Sequence, residues 1–206
     1  MRIKNRLLNL FVLTSLLLMI ACAPTKFASV WKNDSYTGGP LKSVMVVGVS
    51  ENLKNRKMFE DVFTEKFKKT GTDAVPSYSA ILTFKDLNKD RVLNEAEKLG
   101  INTILVTQLL GVEEENVFYD PLDYDPYKGR AALGRHFAGA SKYAHSMESY
   151  TKMESVRLLT NLYQRETEEL LWTSVTETLR PESVKEVIDS LSSAIMQSLR
   201  KNKLVK

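Results

Sequence analysis

Side chains that could carry out catalysis are few in this sequence of 206 residues and form no known motif. The sequence contains no Gly-rich phosphate loop, no Cys-X-X-Cys pair and no Gly-X-Ser-X-Gly nucleophile motif. His136 and His145 are nine residues apart, a spacing that does not place both on one helix face, so they are a poor pair of zinc ligands. Asp120, Asp123 and Asp125 lack the glycine and glutamate of a dedicated calcium loop. The sequence therefore predicts no catalytic residue, no metal site and no cofactor.

The most unusual stretch is residues 118–127, in which aromatic residues alternate with acidic residues and prolines. Rigid aromatic side chains bind partners with little loss of conformational entropy, and prolines limit the freedom that a loop loses on binding. This pattern favours a partner-binding surface formed by Tyr119, Tyr124 and Tyr127. The alternative interpretation is a long β-hairpin extension whose tyrosines pack on its own strands. A pore-lining hairpin is disfavoured, because the segment lacks alternating apolar residues over a membrane-spanning length.

The N-terminus has the layout of a secretory signal peptide. Three basic residues and no acidic residue lie within the first six positions, and an apolar run follows over residues 7–21. This run is shorter than the ~20 residues that a transmembrane helix requires. Residues 1–21 are therefore predicted to be a signal peptide, which implies that the mature chain is exported.

Removal of the signal peptide changes the net charge that the mature chain carries. The full chain contains 29 Lys+Arg and 25 Asp+Glu, and three of the basic residues lie within residues 1–21. The mature chain therefore has a net charge of 26 − 25 = +1. This balance removes the main argument for a nucleic-acid partner, because nucleic-acid binding proteins are typically strongly basic.

Cys22, the only cysteine, directly follows the apolar run. An exported protein seldom keeps one unpaired thiol in an oxidising compartment, because such a thiol is free to cross-link. Residues 18–22 (Leu-Met-Ile-Ala-Cys) resemble a bacterial lipobox, in which a small residue precedes a cysteine that becomes the acylated first residue. The resemblance implies lipidation of Cys22 with acyl chains such as palmitate, and Ala23 in place of Asp implies transfer to the outer membrane. A plain signal peptide or an uncleaved anchor helix is the alternative.

The rest of the chain divides into a tether and one domain. Residues 22–41 are interpreted as a lipidated tether, because two prolines and two glycines within it interrupt helices and strands. Trp31 and Tyr36 in this segment are expected to lie against the domain, since each buries a large apolar area. Residues 42–206 are then predicted to form a single α/β domain.

The domain is predicted to contain a mixed sheet. Its first part alternates between strand and helix patterns in a β-α-β-α-β order, which implies parallel neighbours. The segment over residues 113–150 has no sustained period and is expected to form a long loop or hairpin extension. Two extended runs then predict an antiparallel hairpin, and a C-terminal helix follows. The strands are expected at 43–50, 73–77, 102–110, 153–164 and 169–179, and the helices at 52–70, 87–99 and 182–202.

Several residues of the domain resemble a family of largely uncharacterised Gram-negative outer-membrane lipoproteins. They are Trp31, Tyr36, residues 44–49, Arg56, residues 59–60, 161–163, 170–172 and 176–178, and Pro181. The resemblance extends to the curli-secretion lipoprotein and to activators of penicillin-binding proteins, and it implies a mixed sheet with helices, shaped like an anticodon-binding domain. Trp172 is expected in the core. Arg56 and Glu60, four residues apart, are interpreted as an exposed helix pair.

Taken together, these patterns favour a lipid-anchored, periplasm-facing outer-membrane lipoprotein that acts as a non-enzymatic binding or envelope-assembly component. The expected partners are a membrane, through the acyl chains on Cys22, and a protein of the cell envelope. The alternative is a subunit of an oligomeric secretion-channel ring, so oligomerisation stays open. An enzyme is the third class, which the lack of a catalytic motif disfavours.

Overall fold

A computed structural model of the chain describes residues 25–113, Gly134 and residues 155–206. Within these residues, helices pack on both faces of a six-stranded mixed sheet, which confirms the predicted α/β class. The strands are β1 (Thr25–Lys32), β2 (Ser43–Val49), β3 (Asp73–Pro76), β4 (Thr103–Glu113), β5 (Ser155–Gln164) and β6 (Leu170–Leu179). The helices are α1 (Leu53–Lys69), α2 (Lys89–Lys98) and α3 (Val184–Lys201), and a short 3₁₀ turn covers Ser77–Ser79.

The strand order in the sheet is β1-β6-β5-β4-β2-β3. Strand β2 pairs in parallel with both β3 and β4, as the β-α-β-α-β pattern predicts. The remaining pairs are antiparallel, and β5 with β6 forms the predicted hairpin. Val47 and Ile104 lie on neighbouring parallel strands and are fully buried.

The continuous apolar run of β2 is explained by helices on both sides of the sheet. Val44 and Val46 belong to the core cluster that contains the apolar faces of α1 and α3. Met45 and Val47 point to the opposite face and belong to a second cluster, which contains the apolar residues of α2. Trp172 is fully buried in the first cluster, as expected. Because both faces of β2 are buried, apolar and polar residues do not alternate along its sequence.

Residues 25–32 form an edge strand, which corrects the interpretation of residues 22–41 as an irregular tether. Strand β1 pairs antiparallel with β6 from Thr25, opposite Thr178, to Lys32, opposite Trp172. A register shift after Phe27 interrupts the alternation of side chains, and residues 26–30 are exposed. Because of these two features, the sequence of β1 lacks the regular alternation of apolar and polar residues that predicts a strand.

The helix ends follow the signals that their sequences contain. The side chains of Asn52, Asn88 and Ser183 accept hydrogen bonds from backbone N–H groups in the first turns of α1, α2 and α3. Gly71 and Gly100 follow α1 and α2 with φ angles of 79° and 66°. Glycine adopts this left-handed conformation without steric cost, so each of the two helices ends just before its glycine.

Candidate functional site

The site residues predicted from sequence lie outside the described part of the chain. They are Cys22, the proposed lipidation site, and Tyr119, Tyr124 and Tyr127, the proposed partner-binding surface. Lipidation and partner binding at these positions therefore stay predictions. Two features among the described residues are candidates for a functional role: a buried ionic cluster on α1 and a groove along β1.

Arg56 and Glu60 form a buried ion pair, so their interpretation as an exposed helix pair was wrong. The Arg56 Nε–Glu60 Oε1 distance is 2.9 Å, and the two side chains are only 1% and 0% exposed. Both residues lie on the face of α1 that packs against the sheet, beside the buried Phe59 and Phe63. The pair is therefore part of the interior of the domain.

Glu60 connects three elements through its carboxylate. Its Oε1 accepts hydrogen bonds from the Gly48 backbone N–H on β2 at 3.0 Å and from the Ser77 hydroxyl at 2.8 Å. Its Oε2 accepts from the Tyr78 backbone N–H at 2.8 Å, and Arg56 Nη2 donates to Ser77 Oγ at 2.8 Å. We call Arg56, Glu60 and Ser77 the α1 polar cluster. It joins α1 to the end of β2 and to the 3₁₀ turn after β3.

The electrostatics of Glu60 reflect opposing effects. Burial raises the pKa of Glu60, whereas the Arg56 charge and the hydrogen bonds from Gly48 and Tyr78 lower it in part. All four groups that contact the carboxylate are donors, so the ionised form, which only accepts, uses every contact. The α1 polar cluster therefore fits a paired charge that holds the fold together.

A small cleft lies beside this cluster, between α1, α3 and the sheet. Its volume is about 50 Å³, and its walls include Arg56, Phe59 and Leu191. The Nη1 atom of Arg56 is buried and has no hydrogen-bond partner among the described residues. Ligand pockets usually measure roughly 300–1,000 Å³, whereas one water needs about 10–15 Å³. The cleft therefore has room for a small acceptor beside Arg56 but not for a cofactor.

The second feature lies along β1, the end strand of the sheet that the described residues form. Phe27 is 37% exposed and Val30 is 43% exposed, although both are large apolar side chains. Together with the last turn of α3 they line a groove of about 770 Å³, which we call the β1 groove. Arg200 and Lys201 on this turn are exposed, and Arg200 Nε donates to the Lys206 main-chain oxygen at 3.2 Å. The groove thus combines apolar side chains with basic ones.

Over residues 25–113 and 155–206, no group of three or more His, Cys, Asp or Glu side chains is placed to hold a metal ion. In the same part of the chain, no helix is both long enough and apolar enough to cross a membrane.

No family model and no curated protein matches the sequence. Solved structures with a similar arrangement include a PelC dodecamer from Paraburkholderia phytofirmans, with 10% identity and a TM-score of 0.47 over 83% of this chain and 96% of that chain. Lipoprotein GNA1162 from Neisseria meningitidis has 13% identity and a TM-score of 0.40 over 77% of this chain and 96% of that one. At these values the similarity assigns neither a family nor a function.

Proposed function

We propose that this chain is an outer-membrane lipoprotein, anchored by acyl chains on Cys22, whose α/β domain faces the periplasm and acts as a non-enzymatic binding or assembly component. The position of Cys22 carries the proposal. The only cysteine of the chain follows a basic and then apolar segment and precedes the first residue of β1 by three positions. An acylated cysteine at this point would join the folded domain to a membrane almost directly.

The structure supports this arrangement because β1 is firmly joined to the rest of the domain. The Thr25 backbone N–H donates to Ser190 Oγ at 2.9 Å, and the strand pairs with β6 along its length. Each buried methylene of an acyl chain contributes about 0.8 kcal/mol to membrane binding, so two or three chains give stable anchoring. The anchor would therefore hold the domain itself near the membrane.

A non-catalytic role is supported by the α1 polar cluster. Among the described residues, Ser77 and Glu60 form a hydrogen-bonded pair of the types that occur in catalytic sites, but both are fully buried. Their hydrogen bonds are used to connect β2, α1 and the 3₁₀ turn, and the adjoining cleft is too small for a typical substrate. We therefore assign the cluster a structural role.

Acyl labelling of cells that express the full chain tests the anchor. Cys22→Ser should abolish incorporation of labelled palmitate and leave an unprocessed precursor, because the acceptor sulfur is gone. Ala21→Gly is the matched control, since it keeps a small residue before the cysteine and should retain labelling. Normal labelling and processing of the Cys22→Ser protein would overturn the proposal.

The destination of the protein is tested separately by membrane fractionation. The resemblance to lipoproteins without Asp after the cysteine supports an outer-membrane location for the native chain. Ala23→Asp should therefore move the acylated protein to the inner-membrane fraction, while Ala23→Ser should not. Recovery of both variants and the native chain in the inner membrane would refute the outer-membrane location but not the lipid anchor.

Cross-linking in native membranes, followed by extraction in detergent, tests the assembly role. A binding component should cross-link to another envelope protein, and Tyr119, Tyr124 and Tyr127 are the residues whose replacement should weaken that product. If the extracted protein instead runs in size-exclusion chromatography as a large assembly of its own copies, the ring-subunit alternative is favoured. Absence of both products would contradict an assembly role.

A further inference from the structure

We infer that the β1 groove faces the anionic headgroups of a phospholipid bilayer, with Phe27 and Val30 in the headgroup layer. This inference rests on the proposed lipidation of Cys22 and adds to it the orientation of the domain. The groove is an exposed apolar surface with a basic border, a combination that suits the boundary between water and an anionic membrane.

The covalent length of the chain places the start of β1 next to the membrane. Two residues, Ala23 and Pro24, separate Cys22 from Thr25, so three peptide steps of at most about 3.6 Å span about 11 Å. The headgroup region on each side of a bilayer is roughly 5–8 Å thick. If Cys22 is acylated, Thr25 must therefore lie within or just above the headgroups.

Two orientations satisfy this distance, and the chemistry of the surface distinguishes them. The domain can stand with the end of the sheet beside Thr25 toward the membrane, or lie with the open edge of β1 against it. The first orientation would bring to the membrane Glu182 and the ion pair of Lys185 with Asp189, a surface of mixed charge. The second brings the β1 groove, whose lining among the described residues is apolar, polar or basic, with the Lys206 main-chain oxygen bound to Arg200.

The basic residues at the groove are arranged to meet anionic lipids. Arg200 and Lys201 line it, and Lys203, just after α3, is also exposed. Basic residues near a membrane surface are attracted by anionic lipids, and the attraction decreases within a Debye length. In the edge-down orientation, Arg200 and Lys201 lie within that distance of the headgroups. The charge of the surface therefore favours the edge-down orientation.

Fluorescence quenching of the processed, acylated protein in vesicles of phosphatidylethanolamine and phosphatidylglycerol tests this orientation. Acylation blocks Cys22, the only native cysteine, so Val30→Cys provides one thiol for an environment-sensitive fluorophore. Leu82→Cys is the matched control, because Leu82 is an exposed apolar residue (72%) near the opposite edge of the sheet. Lipids with spin-labelled headgroups should quench the label at position 30 several-fold more than the label at position 82, and aqueous iodide should do the reverse.

A charge variant tests the basic border in the same assay. Arg200→Gln with Lys201→Gln should reduce headgroup quenching at position 30 when the vesicles contain phosphatidylglycerol. Lys68→Gln with Lys69→Gln makes the same charge change at the exposed end of α1 and should leave quenching unchanged. Equal effects of the two pairs would contradict specific contact at the groove.

The possible results separate this inference from the proposed function. If the protein does not remain with the vesicles after a carbonate wash, the lipid anchor itself is refuted. If it remains but a label at Glu182→Cys is quenched in place of the label at position 30, only the edge-down orientation is refuted. A label at position 30 that is shielded from iodide yet not quenched by lipid would show that a protein covers β1, which also overturns the inference.

Discussion

At the scale of single residues, α1 contains two ion pairs with the same spacing and opposite environments. Arg56 and Glu60 are buried, whereas Glu65 and Lys69, also four residues apart, are 68% and 71% exposed. Spacing alone therefore does not predict burial. The order of the charges differs: acid before base is the favourable order on an exposed helix, and the Arg56–Glu60 pair has the reverse. The donors that stabilise Glu60 come from Gly48 and Tyr78, which local sequence patterns do not connect to it.

Replacement of Glu60 by Gln is expected to destabilise the domain strongly. The change leaves the Arg56 charge buried without a counter-charge, and loss of one partner of a buried pair costs about 3–5 kcal/mol. The measurement is the free energy of unfolding of the purified protein in urea. Glu65→Gln on the same helix is the control and should have little effect, because that pair is in water.

A second substitution identifies the cause of that loss. Arg56→Met in the Glu60→Gln background removes the unpaired charge, so it should restore part of the lost stability. If Glu60→Gln alone changes the unfolding free energy no more than Glu65→Gln does, the cluster does not hold the fold together. No recovery in the double variant would mean that the lost hydrogen bonds, rather than the isolated charge, dominate.

At the scale of elements, α1 approaches β2 closely at Gly48. A Cβ atom added to Gly48 would lie 2.9 Å from Phe59 Cδ1, a distance too short for carbon atoms. Phe59 in turn packs against Phe63, with ring centroids 4.5 Å apart. The absence of a side chain at position 48 therefore sets how near the helix lies to the sheet. It also allows the Gly48 N–H to reach Glu60.

Gly48→Ala is expected to destabilise the domain through this contact. Overpacking of a dense core usually costs about 1–3 kcal/mol, because neighbouring side chains must leave their preferred rotamers. Urea denaturation measures the change. Phe59→Leu added to Gly48→Ala should lose less than the sum of the two single changes, since the smaller side chain makes space for the new methyl group. Strict additivity of the two changes would contradict direct contact between the positions.

The elements also show which parts of the fold a sequence can reveal. Strands β2 and β4 were predicted because their long apolar runs reflect burial on both faces, and the three helices because their apolar spacing and end signals agree. Strand β1 was missed because it is an exposed edge whose pairing with β6 depends on residues about 150 positions away. The β1 groove was also missed, because its walls come from β1 and from the last turn of α3, which are distant in the sequence and meet only in the folded chain.

At the scale of the whole molecule, the registers of the strands bring several chain positions to one end of the sheet. Glu113 lies opposite Ser155, and Ser155 lies opposite Leu179. Thr178, next to Leu179, lies opposite Thr25. Residues 114–154 therefore leave and rejoin the sheet at the end where β1 begins. If Cys22 is acylated, that end lies near the membrane in either orientation of the domain.

Because Glu113 and Ser155 are direct partners, a short turn can connect β4 to β5. Replacement of residues 114–154 by a four-residue turn containing Asn-Gly should leave the domain folded. Closing a loop of 4 rather than 41 residues should add about 2 kcal/mol to its stability, which the thermal unfolding midpoint measures.

The companion variant keeps the segment and replaces three tyrosines by serine: Tyr119, Tyr124 and Tyr127. On the binding hypothesis, the loop replacement raises the midpoint, the triple tyrosine variant leaves it unchanged, and both variants lose the envelope cross-link. A drop equivalent to several kcal/mol in both would show that the tyrosines pack on the domain, because buried aromatic area is lost, and would overturn the partner-binding prediction.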